Sequence, residues 1–260
     1  MLNQLIKTEI ENGVAVVTLN RPPVNAQSKE FVEELISVFD ELNDSTDVSV
    51  IVLTAEGKVF SAGADIKSRG SVGATPGETS RHLRRTREAG FCIMESNIPV
   101  IAAVNGVALG AGLGLTLCCD IILASENAVF GLPEIDIGLM GGARHAMRLL
   151  PHSLARRMIL TGYRVSAREL YERGIIEACT KPEDLMKEAM QIANSIASKS
   201  PTAVRLAKRA INTVETMGLK DGYRFEQNLT VQMTRHPDSK EAMAAFLEKR
   251  TPVFQELNHG

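Results

Sequence analysis

One carboxylate stands out because its neighbours suit proton-transfer chemistry. Glu134 is surrounded in the chain by apolar residues, which are Phe130, Leu132, Ile135, Ile137 and Leu139. Burial in such surroundings would raise the pKa of a carboxyl group toward neutrality, which suits general acid–base catalysis. A glutamate that directly follows a proline is also an ordinary helix start. Both interpretations of Glu134 stay open on this segment alone.

A glycine-rich stretch, Asn105–Gly114, leads into a predicted short helix, Ala111–Leu117. Glycine and alanine let a substrate approach the main chain closely, and N–H groups at a sharp turn can stabilise negative charge on a substrate oxygen. The start of the helix at Ala111 would add partial positive charge there. Alternatively, these glycines permit tight packing of a helix on a sheet.

Other site chemistries find little support. The five histidines are scattered, and none is paired with carboxylates at the spacing of metal ligands. The Gly-x-Ser-x-Gly pattern of a serine nucleophile is absent. The four cysteines lack ligand spacing as well, which favours packing roles and a reducing compartment. We therefore expect neither a metal nor a covalent nucleophile.

Composition narrows the class of protein further. The net charge is −2, from 29 basic and 31 acidic residues, and aromatic residues make up 4% of the chain. No overall field or stacking surface favours nucleic acid or membrane binding. The first ten residues resemble neither a signal peptide nor a transit peptide, and no apolar stretch approaches membrane-spanning length. A cytoplasmic location is the expectation.

The elements that must position these residues alternate between strands and helices. Ser28–Asn43 has apolar residues at helical spacing, with Ser28 as a predicted N-cap. A second helix is predicted around Arg81–Ser96. The predicted strands are Val14–Leu19, Val48–Leu53, Pro99–Val104 and Asp120–Ala124. This alternation predicts an α/β protein with parallel strands, and its rounds favour a superhelix of ββα repeats.

From about Ser153 the pattern is almost entirely helical, with a helix start at Pro201 and breaks at Gly218 and Pro237. We therefore divide the chain into an α/β core, residues 1–195, and a helical C-terminal subdomain, residues 196–260.

Several segments occur in a characteristic order along nearly the whole chain. They are Leu19–Pro22, Ser61–Lys67, Asn105–Gly112, Gly131–Glu134, Thr161–Ala167 and Ala245–Arg250. Their order and spacing resemble the crotonase (enoyl-CoA hydratase/isomerase) superfamily. The resemblance implies a crotonase-like fold and an acyl-CoA thioester substrate, with coenzyme A entering only as part of that substrate. It also implies a homotrimer or a dimer of trimers.

The resemblance assigns roles to individual residues. The backbone amides of Ala64 and Ala111 match the pair that holds a thioester enolate oxygen, and Glu134 matches the catalytic glutamate. The residues matched to coenzyme A binding are Arg21, Ala62, Ala64, Asp65, Ile66, Lys67, Phe246 and Lys249. A further basic patch, Arg81–Arg87, is either a pocket wall or a solvated helix face.

This sequence departs from the family pattern at two places. Hydratases of the family carry an additional glutamate where this chain has Gly114. The run Gly141–His145 replaces the usual Pro-Gly-Ala-Gly-Gly, and related hydrolases have an aspartate where this chain has Gly142. His145 is therefore either a second proton-transfer group or a structural residue, and Asp136 is a weaker candidate partner for Glu134.

These departures leave the reaction open. A single glutamate suits double-bond isomerisation of an enoyl-CoA, while hydration remains compatible with the overall motif pattern. The alternatives are hydrolysis or decarboxylation of a CoA thioester, or acyl-CoA binding without turnover.

Overall fold

Two stacks of mainly parallel strands organise the chain in a computed structural model that describes residues 4–66 and 76–254. Within these ranges, the larger sheet has the strand order β1-β2-β3-β5-β7-β10, and the smaller has the order β4-β6-β8-β9. The strands are β1 (Ile6–Glu11), β2 (Val14–Leu19), β3 (Val50–Ala55), β4 (Val59–Ser61), β5 (Val100–Val104), β6 (Val107–Leu109), β7 (Ile121–Ser125), β8 (Val129–Gly131), β9 (Arg164–Ser166) and β10 (Ala178–Thr180).

The helices alternate with the strands in the first part of the chain and follow one another after β10. They are α1 (Lys29–Asn43), α2 (Glu78–Met94), α3 (Ala111–Leu117), α4 (Ala143–Leu149), α5 (His152–Thr161), α6 (Ala167–Glu172), α7 (Leu185–Ala197), α8 (Pro201–Val214), α9 (Leu219–Arg235) and α10 (Pro237–Glu248). A short 3-10 helix spans Pro133–Ile137. None of the helices in the described ranges combines the length and apolar character needed to span a bilayer.

The predicted ββα rounds are confirmed. In three successive rounds, β3 and β4, β5 and β6, and β7 and β8, the first strand joins the larger sheet and the second joins the smaller. Each short second strand lies parallel to its counterpart in the next round, so its carboxyl end opens at the same edge. The segments after β4, β6 and β8 are therefore brought together, although they are far apart in sequence.

The predicted helix at Ser28–Asn43 forms with its expected cap. The Ser28 hydroxyl accepts a hydrogen bond from the N–H of Phe31, which satisfies one of the unpaired donors at the start of α1. The apolar face of α1 is fully buried and contributes Phe31, Leu35 and Phe39 to the main core. A second core cluster lies between the larger sheet and α7.

Several expectations about the elements were wrong. Strand β3 begins two residues later than predicted, and β7 begins one residue later. The region after Ser153 is not purely helical, because β9 and β10 interrupt it. Nor are all strands parallel, since β1 pairs antiparallel with β2, and β9 with β8. Strands of three residues span too few alternations to produce a recognisable periodicity. These short segments form strands because they pair with neighbouring strands in the sheet.

Helix α8 is fastened to the core by a buried ion pair. Lys208 Nζ lies 2.6 Å from Asp120 Oδ2 and donates a second bond, of 3.3 Å, to the carbonyl of Ile98. Asp120 also accepts from the N–H of Val100 at 2.7 Å. Only 3% of the Lys208 side chain is exposed. The proposed boundary near residue 195 stays a prediction, and this ion pair shows that α8 is tightly linked to the sheet.

Candidate active site

The 3-10 helix Pro133–Ile137 places the Glu134 side chain. Proline suits the first helical position because it lacks the N–H that would be unpaired there. Gly138, in a left-handed conformation with φ of 71°, ends the element, and the N–H of Leu139 bonds the carbonyl of Glu134 at 2.9 Å. The Glu134 side chain is half-buried, and the 3-10 helix that carries it comes soon after β8.

The carboxyl group of Glu134 lies against the backbone of Gly110. A Cβ placed on Gly110 would come within 2.9 Å of Glu134 Oε1, and Gly110 has φ of 53° and ψ of −122°. Both the close approach and the conformation require glycine. Gly110 is also tied to β8, since its N–H bonds the carbonyl of Gly131 at 2.9 Å.

The Ala111 amide stands at the first position of α3, where an N–H group has no partner within the helix. The Ala64 amide arrives from a different element. Gln27 pairs with Ala64 in a parallel bridge through the carbonyl of Gly63 and the N–H of Asp65. In such a bridge the paired residue directs its own N–H to the opposite side. Within ranges 4–66 and 76–254, neither alanine amide donates a backbone hydrogen bond.

The two segments that carry these amides touch. A Cβ placed on Gly63 would lie 2.6 Å from the carbonyl oxygen of Leu109 and 3.1 Å from the nitrogen of Ala111. The Ser61 hydroxyl fixes this approach, donating to the carbonyl of Asn25 at 2.7 Å and accepting from the N–H of Gly63 at 3.2 Å.

The glycines after β6 have distinct roles. A Cβ on Gly112 would lie 2.3 Å from the carbonyl oxygen of Ser61, so this glycine permits helix–strand packing. Gly110 instead makes room for the Glu134 carboxyl. Among the described residues, no atom lies within 4 Å of the Cβ position of Gly114, so they leave open the place where the family resemblance implies a second glutamate. Both interpretations of the stretch therefore hold, at different residues.

A cleft of about 330 Å³ unites these groups. Five structural features contribute to its wall: the segment before α1, the turn after β4, one face of α2, one face of α3 with the residue before it, and the segment from the 3-10 helix into α4. The lining residues are Gln27, Ala62, Ala64, Ile66, Leu83, Thr86, Arg87, Gly90, Gly110, Ala111, Gly114, Leu115, Cys118, Pro133, Glu134, Ile137, Leu139, Met140, Gly141, Gly142 and His145. A larger open depression beside α7 contains none of the described residues predicted for the site.

Five predicted site residues line this cleft: Glu134, Ala64, Ala111, Ala62 and Ile66. Arg21 and Asp65 do not line it. They form an ion pair of 2.8 Å, and Arg21 Nη1 also donates to the carbonyl of Ala26 at 2.9 Å. These contacts brace the segments on either side of the bridge between Gln27 and Ala64. Lys67 lies outside the described residues.

Phe246 and Lys249 are not among the described residues that line the cleft. Phe246 is 78% exposed near the end of α10, and Lys249 follows it in a left-handed conformation with φ of 54°. Within the basic patch on α2, Arg85 is ion-paired with Glu33 while Arg87 lines the cleft. The two interpretations of that patch therefore apply to different arginines.

Asp136 is separated from Glu134 by the geometry of the 3-10 helix. Its two carboxylate oxygens would lie 2.7 and 2.8 Å from a Cβ on Gly162, and it does not line the cleft. His145, in contrast, does line it. Burial lowers the pKa of His145, and the charges of Arg148 and Arg144 lower it further. An imidazole with a lowered pKa is neutral at neutral pH.

Several lining residues were not singled out by the sequence analysis. On α2 they are Leu83, Thr86 and Gly90, which recur at helical spacing with Arg87, so the periodicity of this helix is the signal that would have marked one face. On α3, Cys118 follows Gly114 by one turn. Burial raises the pKa of Cys118 to about 12, which keeps the thiol protonated and unreactive. Among the described residues, no group of three or more metal-ligating side chains is found.

The comparisons with known proteins agree with this geometry. A family model described as enoyl-CoA hydratase/isomerase matches residues 9–257, so the chain belongs to that family. The predicted crotonase-like fold is confirmed: a crystal structure of an enoyl-CoA hydratase from Bacillus anthracis superimposes with a TM-score of 0.91 at 35% identity, covering 96% of this chain and 99% of that one. The chain is an enzyme of the hydratase/isomerase type.

Curated relatives of similar identity carry different names. A Dictyostelium discoideum protein named probable enoyl-CoA hydratase, mitochondrial, is 38% identical over 251 residues, covering 95% of this chain and 89% of that protein. A Mycobacterium tuberculosis protein named (7aS)-7a-methyl-1,5-dioxo-2,3,5,6,7,7a-hexahydro-1H-indene-carboxyl-CoA hydrolase is 35% identical over 247 residues, covering 94% and 99%. Family membership therefore leaves the particular reaction to be settled by the site.

Proposed function

We propose that this enzyme isomerises the double bond of an enoyl-CoA, using Glu134 as the single proton carrier. The observation that carries the proposal is the lining of the cleft, where Glu134 is the one carboxylate among the described residues and Gly114 leaves the second carboxylate position open. One carboxylate suffices to move a proton between two carbons of the same substrate. The family's hydratases use two carboxylates to hold and activate water.

In the proposed reaction, the Glu134 carboxylate removes a proton from the α-carbon of a 3-enoyl-CoA. The electron pair moves through the carbonyl, and the resulting dienolate oxygen accepts hydrogen bonds from the Ala64 and Ala111 amides. The protonated Glu134 then returns the same proton to the γ-carbon, which yields the 2-enoyl-CoA. Support comes from the contact between the two amide-bearing segments and from the position of Glu134 Oε1 beside Gly110.

Coenzyme A would enter only as part of the substrate. We assign its binding to Arg21, Ala62, Ala64, Asp65, Ile66, Lys67, Phe246 and Lys249. Phe246 and Lys249 would reach the cleft of a neighbouring subunit in a homotrimer or dimer of trimers, which is supported by the exposure of Phe246 and by the absence of both residues from the described lining of this chain's own cleft. The free cysteines favour a cytoplasmic location.

The reaction is tested by mixing the purified protein with 3-enoyl-CoA and 2-enoyl-CoA series and following the ultraviolet absorbance of the conjugated thioester. Isomerisation increases that absorbance from 3-enoyl-CoA. Hydration lowers it from 2-enoyl-CoA. Release of free thiol would identify hydrolysis, the second candidate, which the similarity to a relative named as a hydrolase favours. Acyl-CoA binding with no turnover on any chain length would contradict both.

A further inference from the structure

The cleft has two chemically different ends, set two helical turns apart along α3. The lining residues of α3 recur as Ala111, Gly114 and Leu115, and then Cys118, which places one continuous face along the cleft. From Gly110 to Cys118 this face extends about 12 Å, because each helical residue adds about 1.5 Å. Glu134 Oε1 marks the first end, beside Gly110.

His145 lies at the second end. A Cβ placed on Gly90 would be 3.1 Å from Cys118 Sγ and 3.9 Å from His145 Nε2. The imidazole therefore lies at a corner of the cleft formed with Cys118 and α2. This corner is roughly two turns along α3 from the end where Glu134 would transfer the proton. That separation argues against the idea that His145 substitutes directly for the missing second glutamate. It puts the ring where the far end of an acyl chain would lie.

The imidazole has unused hydrogen-bonding capacity. It is half-buried, and it packs at a tilt against the ring of Phe91 with 6.5 Å between centroids. In the part of the chain that the structure describes, no hydrogen bond to either ring nitrogen is found. A neutral imidazole has one donor and one acceptor nitrogen, and in His145 both are available to a ligand bound in the cleft. A ligand atom would satisfy them.

The charges around this corner favour an anionic ligand group. Arg144 adjoins His145 in α4, and Arg87 lines the cleft from α2. Neither arginine forms an ion pair with a described residue. Arg148 is also near but is bound to Glu215 at 2.6 Å. The acidic lining residue, Glu134, lies at the opposite end.

We propose that His145 hydrogen-bonds a carboxylate at the distal end of the acyl chain, so that the enzyme prefers ω-carboxyacyl-CoA thioesters over methyl-ended ones. The inference rests on the proposed function, since it takes the acyl chain to run from the Glu134 end along α3. The thioester carbonyl lies at the Ala64 and Ala111 amides. The distal carboxylate lies beside His145, with Arg87 and Arg144 supplying the favourable field.

The preference is measured as the ratio of kcat/KM for ω-carboxyl and methyl-ended enoyl-CoA pairs, over a length series that brackets the span of the cleft. Wild type is expected to favour the carboxyl-ended member of the pair at one length. His145→Leu is expected to lower that ratio by about tenfold to a hundredfold, the effect of losing a hydrogen bond to a charged group. His145→Gln retains a donor and an acceptor and should retain part of the preference.

The ratio within one variant cancels general effects on folding and chemistry. An unchanged ratio in His145→Leu would overturn the inference. So would an equal fall on both substrates, because that places His145 at the reacting carbons. If wild type turns over none of these substrates, the proposed function fails. Calorimetric binding of saturated ω-carboxyl and methyl-ended acyl-CoA pairs to wild type and His145→Leu then decides the inference independently.

Discussion

At the scale of single residues, the site depends on contacts that few side chains would tolerate. The carboxyl of Glu134 occupies the space that a Cβ at Gly110 would need, and the carbonyl of Leu109 does the same at Gly63. A reacting group held by such contacts needs little reorganisation during the reaction.

Glu134→Gln should lower kcat by about a hundredfold to ten-thousandfold, the range for loss of a general acid or base, with little change in affinity for CoA thioesters. Steady-state kinetics and calorimetry measure the two effects. Asp136→Asn is the matched control, since it changes a nearby carboxylate that lies against Gly162 outside the cleft. Equal turnover by Glu134→Gln and wild type would remove Glu134 from the mechanism.

The lowered pKa of His145 makes a contribution to stability that depends on pH. The folded chain binds this proton at lower pH than the unfolded chain, whose histidine titrates near 6.5. The contribution is therefore fully present above that pH and is lost as the pH falls through the ordinary pKa toward the folded one. Urea unfolding between about pH 5 and about pH 7 should show a steeper decline for wild type than for His145→Gln. Parallel curves would contradict this expectation.

At the scale of elements, the two amides are positioned by glycines and strand ends rather than by side chains. Gly63, with φ of 91°, lets the segment after β4 lie against the segment that joins β6 to α3. Gly112 lets α3 pack on the last residue of β4. The short strands of the smaller sheet matter to function because their ends carry these turns.

Gly63→Ala should separate the two amide-bearing segments, since its Cβ would come within 2.6 Å of the carbonyl oxygen of Leu109. We expect kcat to fall at least about tenfold, because misplaced groups lose transition-state contacts. Gly57→Ala is the control, with a similar φ of 81° but no atom of the described residues within 4 Å of the new Cβ. It introduces the backbone strain without the clash. A similar loss of kcat in both variants would show that strain alone is responsible.

Lys208→Met tests the attachment of α8 to the sheet. The change removes the cation from Asp120 and the donor from the carbonyl of Ile98. We expect a loss of about 2 kcal/mol in the free energy of unfolding, moderated by the bond that Asp120 keeps to Val100. Urea denaturation measures it, with the exposed Lys220→Met as control. Equal stability of the two variants would mean that apolar packing, not the ion pair, holds α8.

At the scale of the whole molecule, the C-terminal helices expose large apolar side chains that a single chain leaves uncovered. On α9 and α10 these are Leu219, Tyr223, Val231, Met243, Phe246 and Leu247. Exposed apolar surface of this kind marks interaction sites. It supports the proposed assembly, in which α10 of one subunit would complete the cleft of another.

Val231→Glu should weaken assembly, since a charge in an apolar interface is costly to bury. Light scattering during size-exclusion chromatography should show a lower mass than for wild type. Gln232→Glu places the same charge on the adjacent exposed residue of α9 and should keep the wild-type mass. A monomeric wild type would overturn the assembly proposal while leaving the chemistry at Glu134 untouched.

Local pattern was sufficient to predict α1, β2 and the ββα rounds. A fifteen-residue amphipathic helix with a serine cap has many positions that agree with one periodicity. The order of motifs added the relation between Ala64, Ala111 and Glu134, which lie far apart in sequence.

The remaining features depend on contacts between segments that are distant in sequence. Strands β4, β6, β8, β9 and β10 have three residues each, so pairing with neighbours, not periodicity, makes them strands. The same holds for the corner that joins His145, Cys118 and Gly90: nothing in the local sequence links these positions. They meet because two sheets bring α2, α3 and α4 around one cleft, and contacts between distant segments depend on packing geometry rather than on local preference.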